Sequence, residues 1–462
     1  MKFLTSAVGL VTFTAALARD PQAPLSESSS ASSAKSPQSR PNIVFFLADD
    51  QDVHLDSLAY QPAVHRHLID EGLTFRRHFC TVALCCPSRV NLWTGKAAHN
   101  TNVTDINPPY GGYPKFVSQG LNGHYLPIWL QEAGYRTYYT GKLFNAHTVE
   151  NYNEPFPAGW TGSDFLLDPF TYSYLNSTWQ RNTDPPVSHE GDYTTDVISQ
   201  KAKGFLKDAV ETEDPFFLAI APVAPHSNVE VDHGTQITPD APFKVTPPIA
   251  AERHKDLFKN VQIPRTEHFN PDKASGVSWI RQLPKQSSVQ VEYNDEFYRS
   301  RLRALQAVDE LVDDIFGLLE QHGILDNTYV IYSSDNGYHI GQHRLPPGKE
   351  CGYEEDVNVP LIVRGPNVPK GITTDQVTSH TDLVPTILEL VGAQPKDDLD
   401  GTAIPLREAE ISRSDGRRHE HVNLEYWGFA LAEGKYGFAE EDLSGKLILF
   451  VACTCHGHGF LQ

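Results

Sequence analysis

Positive charge is scarce in this sequence: 38 lysines and arginines face 58 aspartates and glutamates, for a formal net charge of −20 over 462 residues. A field of that sign repels nucleic acid and anionic membrane surfaces, so neither is expected as a partner. An anionic substrate has to be held by local cations or by a metal. Cysteine is scarce too, six in all, which excludes a disulfide scaffold in a chain this long while leaving room for one or two bridges. Beyond the N-terminal segment no apolar run approaches the roughly 18 residues of a membrane span. No repeat of fixed period is visible, which removes solenoids and propellers.

What is present is ordinary for a globular enzyme: 40% hydrophobic, 21% charged and 10% aromatic residues. The length suits one large α/β domain with insertions, or two domains. The start, MKFLTSAVGLVTFTAALARD, has a basic Lys2, an apolar stretch from Phe3 and small residues at Ala16 and Ala18. That pattern reads as a secretory signal peptide over 1–18, followed by a Ser/Pro-rich linker over 19–40 in which nothing could pack a helix down. A secreted, or vacuolar or lysosomal, protein is expected. Asn102 and Asn176 open sequons for glycosylation that become usable in that compartment.

From residue 41 onward, strand and helix patterns alternate. NIVFFLADDQD, PFFLAIAPVAPHS and TYVIYSSDNGYH are continuous apolar runs ending abruptly in polar residues, as a strand buried on both faces does where it terminates at a sheet edge. Between them PAVHRHLIDEG, YLPIWLQEAGY, DVISQKAKGFLKDAV and SRLRALQAVDELVDDIFGLLEQHG repeat apolar residues at three and four, the spacing of a helix face. The alternation predicts a mostly parallel sheet with helices on both faces, with ligands beyond the carboxyl ends of the strands. Residues 151–192 and 228–295, rich in Pro, Asn, Asp and Thr, are expected to be long surface insertions.

Three strand ends carry Asp49-Asp50, Pro225-His226 and Asp335-Asn336. Three carboxylates and one amide make an all-oxygen set suited to a hard divalent cation, although each pair alone is also common turn chemistry. His339 and His343 flank the last of these ends and either line a pocket or are ordinary hydrogen-bonded histidines. The stretch Cys85-Cys86-Pro87-Ser88-Arg89-Val90-Asn91-Leu92-Trp93-Thr94-Gly95-Lys96 places proline where a helix's first turn favours it. The residues just before that proline then sit beside unpaired N–H groups and the positive end of the helix dipole, where an anion is stabilised. On the residues alone, a cysteine nucleophile and a disulfide both remain open.

That stretch resembles the sulfatase signature C-x-P-S-R-x-x-L-x-T-G. RPNIVFFLADDQD, ALCCPSR, SSDNGYHIGQH and VPLIVRGP extend the resemblance over roughly Arg40 to Leu390, toward the branch holding fungal arylsulfatases and N-acetylglucosamine-6-sulfatases. The resemblance implies an alkaline-phosphatase-like fold over 41–395 and a partial C-terminal antiparallel subdomain over 396–462. It further implies a sulfuric ester hydrolase in which Cys85 is oxidised to formylglycine by the cell's formylglycine-generating system, the hydrated aldehyde being the nucleophile toward a small sulfate ester. One calcium ion is then held by Asp49, Asp50, Asp335 and Asn336 together with the modified Cys85. Arg89 supports the nucleophile, Lys142 holds its hydrate, His226 faces the leaving oxygen and Lys349 grips sulfate. Many sulfatases read G-K-x-H where this chain has Gly141-Lys142-Leu143-Phe144; Asn145 and His147 are candidates for the absent hydrogen bond, the glucosamine-sulfatase-like branch managing without that histidine, and neither is assigned as catalytic.

Two alternatives stand beside this one. A phosphomonoester or phosphonate hydrolase shares the superfamily fold, though two zinc ions with more histidine ligands are expected there. A non-catalytic sulfatase fragment is the other, because the family resemblance through EHVNLEYWGFALAEGKYGF gives way to EEDLSGKLILFVACTCHGHGFLQ. The early end reads as a truncated or misjoined gene, with Leu447 to Val451 as a lone strand. The cluster Cys453-x-Cys455-His456-x-His458 lacks the spacing of known structural zinc sites.

Overall fold

The strand Asn42–Ala48 is buried at every position, and its side chains divide by parity: Ile43, Phe45 and Leu47 enter one apolar cluster, Val44 and Phe46 another. Successive side chains of a strand point to opposite faces, so this strand lies inside a sheet covered on both sides. The computed structural model describes residues 40–231, 243–414, 421–427 and 431–434. The signal peptide over 1–18, the linker up to residue 39, the strand expected over Leu447 to Val451 and the Cys453 to His458 cluster lie outside the described residues.

In chain order the strands are β1 (Asn42–Ala48), β2 (Leu73–Phe79), β3 (Arg136–Gly141), β4 (Gly162–Leu166), β5 (Asn176–Arg181), β6 (Val187–Glu190) and β7 (Phe216–Ala221). They continue with β8 (Asn228–Val231), β9 (Phe243–Thr246), β10 (Thr328–Ser334), β11 (Gly348–Lys349), β12 (Leu361–Arg364), β13 (Ile372–Ser379) and β14 (Leu431–Ala432). Ten of them form one sheet in the order β13-β2-β12-β10-β1-β7-β3-β4-β5-β6. The central run β10-β1-β7-β3-β4 is parallel, and β12, β5 and β6 pair antiparallel toward the edges. Helices Cys85–Thr94, Leu126–Glu132 and Leu383–Leu390 pack into the cluster on one face, Thr194–Val210 and Ser288–Gln321 into that on the other. The expected mostly parallel sheet between two helical layers is the architecture found.

Two expectations need correction. Segment 151–192 is not only a surface insertion: it supplies β4, β5 and β6, and Trp179 on β5 is 1% exposed. Strands of four to six residues broken by turns leave no window long enough for periodicity to register. Segment 228–295 carries the β8–β9 hairpin and irregular chain, but its end already belongs to the long helix, which starts at Ser288 rather than at Ser300. A capping box sets that start: Ser287 Oγ accepts from Gln290 N at 3.4 Å, and Gln290 Oε1 accepts from Ser287 N at 2.8 Å. Both are short-range signals that the polar composition of the segment hid. Of the two sequon asparagines, Asn102 is exposed and Asn176 half-buried at the start of β5.

The two helical layers meet the sheet through aromatic contacts. Phe45 of β1 sits edge-on to Trp93 of helix Cys85–Thr94 with ring centroids 5.5 Å apart, and both are fully buried. Replacing Phe45 by alanine removes a ring that cannot be refilled from either neighbour. The Phe45→Ala variant is expected to lose about 3–5 kcal/mol of stability. Urea unfolding followed by fluorescence checks it, and a loss below about 1 kcal/mol would contradict a closely packed contact there.

Candidate active site

Four adjacent parallel strands, in the order β10-β1-β7-β3, deliver the polar residues. Beyond the carboxyl end of β10 stand Asp335 and Asn336, beyond β1 Asp49 and Asp50, beyond β7 His226, and beyond β3 Lys142. This is where an open α/β sheet binds ligands, because helices leave the strand ends there and the side chains have no further strand to pair with. Gly141 makes the turn into Lys142: its φ is +114°, and a Cβ there would lie 2.1 Å from the carbonyl oxygen of Ala221. Asp50 adopts φ 69°, a left-handed backbone that costs a non-glycine residue energy. Its N–H is held by Asp335 Oδ1 at 3.0 Å.

Cys85 is the first residue of helix Cys85–Thr94, whose N-cap is Leu84 and whose third residue is Pro87. The thiol therefore lies at the positive end of a helix whose first N–H groups have no intrahelical partner. Lys349 Nζ is 3.1 Å from Cys85 Sγ, and the thiol lies 3.6 Å from Asp49 Oδ1. Burial pushes the Cys85 thiol far above its ordinary range despite Lys142 and Lys349 nearby, so the unmodified sulfur is a poor nucleophile here. Cys86 points into the apolar core with its thiol raised to about 12 by burial. Cys80, Cys85, Cys86 and Cys351 are all free, which leaves no disulfide among the described cysteines.

The remaining expected residues converge on the same point. Arg89 Nε donates to Asp335 Oδ2 at 2.8 Å, and its Nη2 lies 3.5 Å from Asp49 Oδ2. Lys142 Nζ is 2.6 Å from Asp49 Oδ2, and Lys349 Nζ is 2.8 Å from Asp50 Oδ1. Burial alone would strip both lysines of their protons, but Asp49 beside Lys142 and Asp50 beside Lys349 hold the ammonium groups well above their ordinary values. Burial likewise opposes ionisation of Asp49, and Lys142 and Arg89 outweigh it, keeping that carboxyl below the usual range. Asn336 donates from Nδ2 to Asp50 Oδ1 at 2.7 Å, while its buried Oδ1 has no hydrogen-bond partner.

His226 has a tautomer fixed by its neighbour. Nδ1 lies 2.8 Å from the carbonyl oxygen of Ser227, which can only accept, so Nδ1 carries a proton. Nε2 faces the centre, 3.8 Å from Asp50 Oδ2 and 3.7 Å from Glu433 Oε1. The other flagged histidines are not in the centre's contacts. His339 Nδ1 pairs with Asp356 at 2.7 Å, and His343 stacks on Tyr353 at 3.7 Å. Phe144 is packed in the core, 4.6 Å from Phe116, and His147 is buried against Tyr113 at 4.4 Å. Asn145 donates to the Tyr172 hydroxyl at 2.6 Å.

Three residues of the centre escaped sequence reasoning. Glu433 follows β14, which pairs antiparallel with β11 and lays the carboxylate over Lys349 at 3.1 Å. Burial would raise its pKa, but Lys349 and His226 bring it down to about 2. Arg301, 2% exposed on the long helix, donates to the carbonyls of both Asp50 and Pro225, tying two strand ends together. Tyr172 stacks on His226 with centroids 4.1 Å apart. Glu433 lies in a stretch whose family likeness named no site residue, Arg301 looks like any charged helix position, and Tyr172 falls in the supposed insertion.

Comparison with known proteins places this arrangement. The sulfatase family model matches residues 41–393. The chain is 42% identical to an arylsulfatase of Volvox carteri over 409 residues, covering 84% of this chain and 63% of that protein. It is 32% identical to human N-acetylglucosamine-6-sulfatase over 372 residues, covering 79% of this chain and 64% of the relative. The chain thus spans a little under two thirds of the length of these curated relatives. Among solved structures, BT4656 in complex with its substrate D-glucosamine-2-N,6-O-disulfate superposes with a TM-score of 0.64 at 23% identity, covering 79% of each chain, a likeness of fold. The signature helix, the strand-end carboxylates and the family match over most of the described sheet together make the conclusion plain: the chain belongs to the sulfatase family.

Proposed function

We propose that this chain hydrolyses sulfate esters, with Cys85 converted to formylglycine as the nucleophile. The observation that carries the reading is the position of Cys85: it opens a helix, lies 3.1 Å from the Lys349 ammonium, and has a thiol that burial makes unreactive. Burial raises the pKa of that thiol, so unmodified it is a weak nucleophile. An aldehyde hydrate at the same carbon supplies an attacking oxygen and a second hydroxyl whose deprotonation later releases sulfate, an exit that a serine ester lacks.

The chain's own cations receive the sulfuryl group. Lys349 and Arg89 lie beside Cys85 and the Asp335 carboxylate, where they offset charge developing on sulfuryl oxygens. Lys142, anchored on Asp49, is placed to orient the nucleophile. His226 carries its Nδ1 proton against Ser227 and presents Nε2 to the centre, the atom from which a proton passes to the leaving oxygen.

The donor set fits calcium. Asp49, Asp50, Asp335 and Asn336 offer oxygens only, and the unpartnered, buried Oδ1 of Asn336 is a ligand atom without a hydrogen bond to lose. Together with the modified Cys85 these residues would hold the ion, whose charge would polarise the sulfuryl oxygens. In the centre the ligand atoms of Asp49 and Asp50 lie within 4.8 Å of those of Cys85 and His226, a set with a single histidine, which favours a sulfatase over a two-zinc phosphatase. Substrates are small aryl or sugar sulfates, since a chain at −20 disfavours a long polyanion. Secretion through the N-terminal signal, in contact with the formylglycine-generating system, completes the proposal, as does a catalytic domain over 41–395.

Two outcomes follow. On an aryl sulfate, Cys85→Ala is expected to lower kcat at least about 10³-fold, whereas Cys86→Ala, in the core, keeps activity within about tenfold. Steady-state kinetics on both variants decides it, and full activity in the Cys85 variant would end the proposal. Chelation is expected to abolish turnover while leaving the fold largely intact. Returning calcium at about 100 times its dissociation constant should restore activity and stabilise by about 2.7 kcal/mol, read as a rise in Tm. Metal analysis returning two zinc ions would favour a phosphatase.

A further inference from the structure

An aromatic side chain from the chain between β4 and β5 closes one side of the centre. Phe144 is 1% exposed and buried among Phe116 and its neighbours, so nothing polar reaches the nucleophile from that residue. Tyr172 lies against both Lys142 and His226. Its ring is nearly parallel to that of His226, with an interplanar angle of 20° and centroids 4.1 Å apart. Lys142 Nζ lies 4.8 Å from the centre of the same ring, a cation–π contact. The hydroxyl accepts from Asn145 Nδ2 at 2.6 Å, and the backbone carbonyl accepts from Val229 N at 3.2 Å. The tyrosine is thus fixed at both ends, from the chain after β3 and from β8.

His226 needs such a neighbour. Its imidazole is held by one hydrogen bond, from Nδ1 to the Ser227 carbonyl, and its other nitrogen meets only groups at 3.7 Å or more. A single in-plane bond leaves the ring free to tilt about it, because the terminal torsion of histidine is broad. A parallel aromatic face removes that freedom. We propose that Tyr172, itself held by Asn145, is a positioning residue that sets the plane of His226 so that Nε2 is aimed at the leaving oxygen. Asn145 serves this reaction through the tyrosine and not by touching the sulfate. The inference rests on the sulfate-ester reading for its kinetic consequence, though not for the stacking itself.

Proton delivery matters most when the leaving group is a poor one, so leaving-group dependence separates positioning from general damage. With formylglycine-bearing enzyme, Tyr172→Leu is expected to lower kcat on phenyl sulfate about 10²-fold, the cost of a misaligned catalytic group. On 4-nitrophenyl sulfate, whose phenoxide departs readily, the loss should stay below about tenfold, with KM within about threefold for both. Tyr172→Phe and Asn145→Ala, which both keep the ring but remove the hydrogen bond that holds it, should fall between wild type and Tyr172→Leu. Equal losses on the two esters, or a phenylalanine variant as impaired as the leucine one, would overturn the proposal. Melting temperatures identify misfolding; if Tyr172→Leu does not fold, Asn145→Ala, which leaves the ring in place, is read instead. A crystal structure of the variant reports independently of activity: His226 displaced from its present plane supports the proposal, and an unmoved ring refutes it. Wild-type enzyme inactive on every sulfate ester would refute the sulfatase reading alone, and the position of His226 would still decide this one.

Discussion

The structure depends on a buried charge cluster beyond the carboxyl ends of its central strands. Arg89, Lys142 and Lys349 are enclosed with Asp49, Asp50, Asp335 and Glu433, every side chain at most 6% exposed. Taking a carboxylate or ammonium group out of water costs several kcal/mol, and only close, well-directed partners offset it. Here each cation touches a carboxylate at 2.6–3.1 Å, so the cluster holds only if the strand ends and the signature helix keep their places. Its formal charge, three cations against four carboxylates, is one negative. A bound divalent cation would turn it positive, which would favour an anionic ligand such as the proposed sulfate ester.

Several parts of the fold serve that cluster without belonging to it. The parallel order β10-β1-β7-β3 brings residues far apart in sequence to neighbouring strand ends. Phe45 and Trp93 brace the helix that Cys85 opens against β1, and Ser88 of that helix contacts the backbone of Asp335. From the opposite layer Arg301 reaches through to the carbonyls of Asp50 and Pro225, so the long helix also fixes the site. β14 contributes Glu433 by pairing with β11, which makes the C-terminal portion of the described chain part of the centre.

The sheet and most of the centre were legible because the informative signals are local. Apolar runs ending in Asp49-Asp50 and Asp335-Asn336 announce buried strands with reactive ends, and Pro87 two residues after Cys85 announces a helix start. What stayed hidden is non-local or short. β4 to β6 are too brief for periodicity, and the start of the long helix is masked by a polar first turn despite its Ser287 and Gln290 cap. Tyr172, Arg301 and Glu433 act through contacts across the fold, and nothing in their own sequence neighbourhoods marks them. Asn145 was flagged for a hydrogen bond, but its amide goes to Tyr172. His147 lies in an aromatic nest where burial holds it neutral down to about 4.

Everything proposed about the reaction turns on the chemistry of one side chain. An unmodified thiol at Cys85 is pushed up by burial, which makes it a weak nucleophile. Mass spectrometry of the peptide containing Cys85, from protein made where the modifying system operates, reads that side chain directly. Loss of sulfur and gain of an aldehyde oxygen at Cys85, with Cys86 unchanged, is the expected result. An intact thiol, or a disulfide, at Cys85 in protein that still hydrolyses sulfate esters would contradict it.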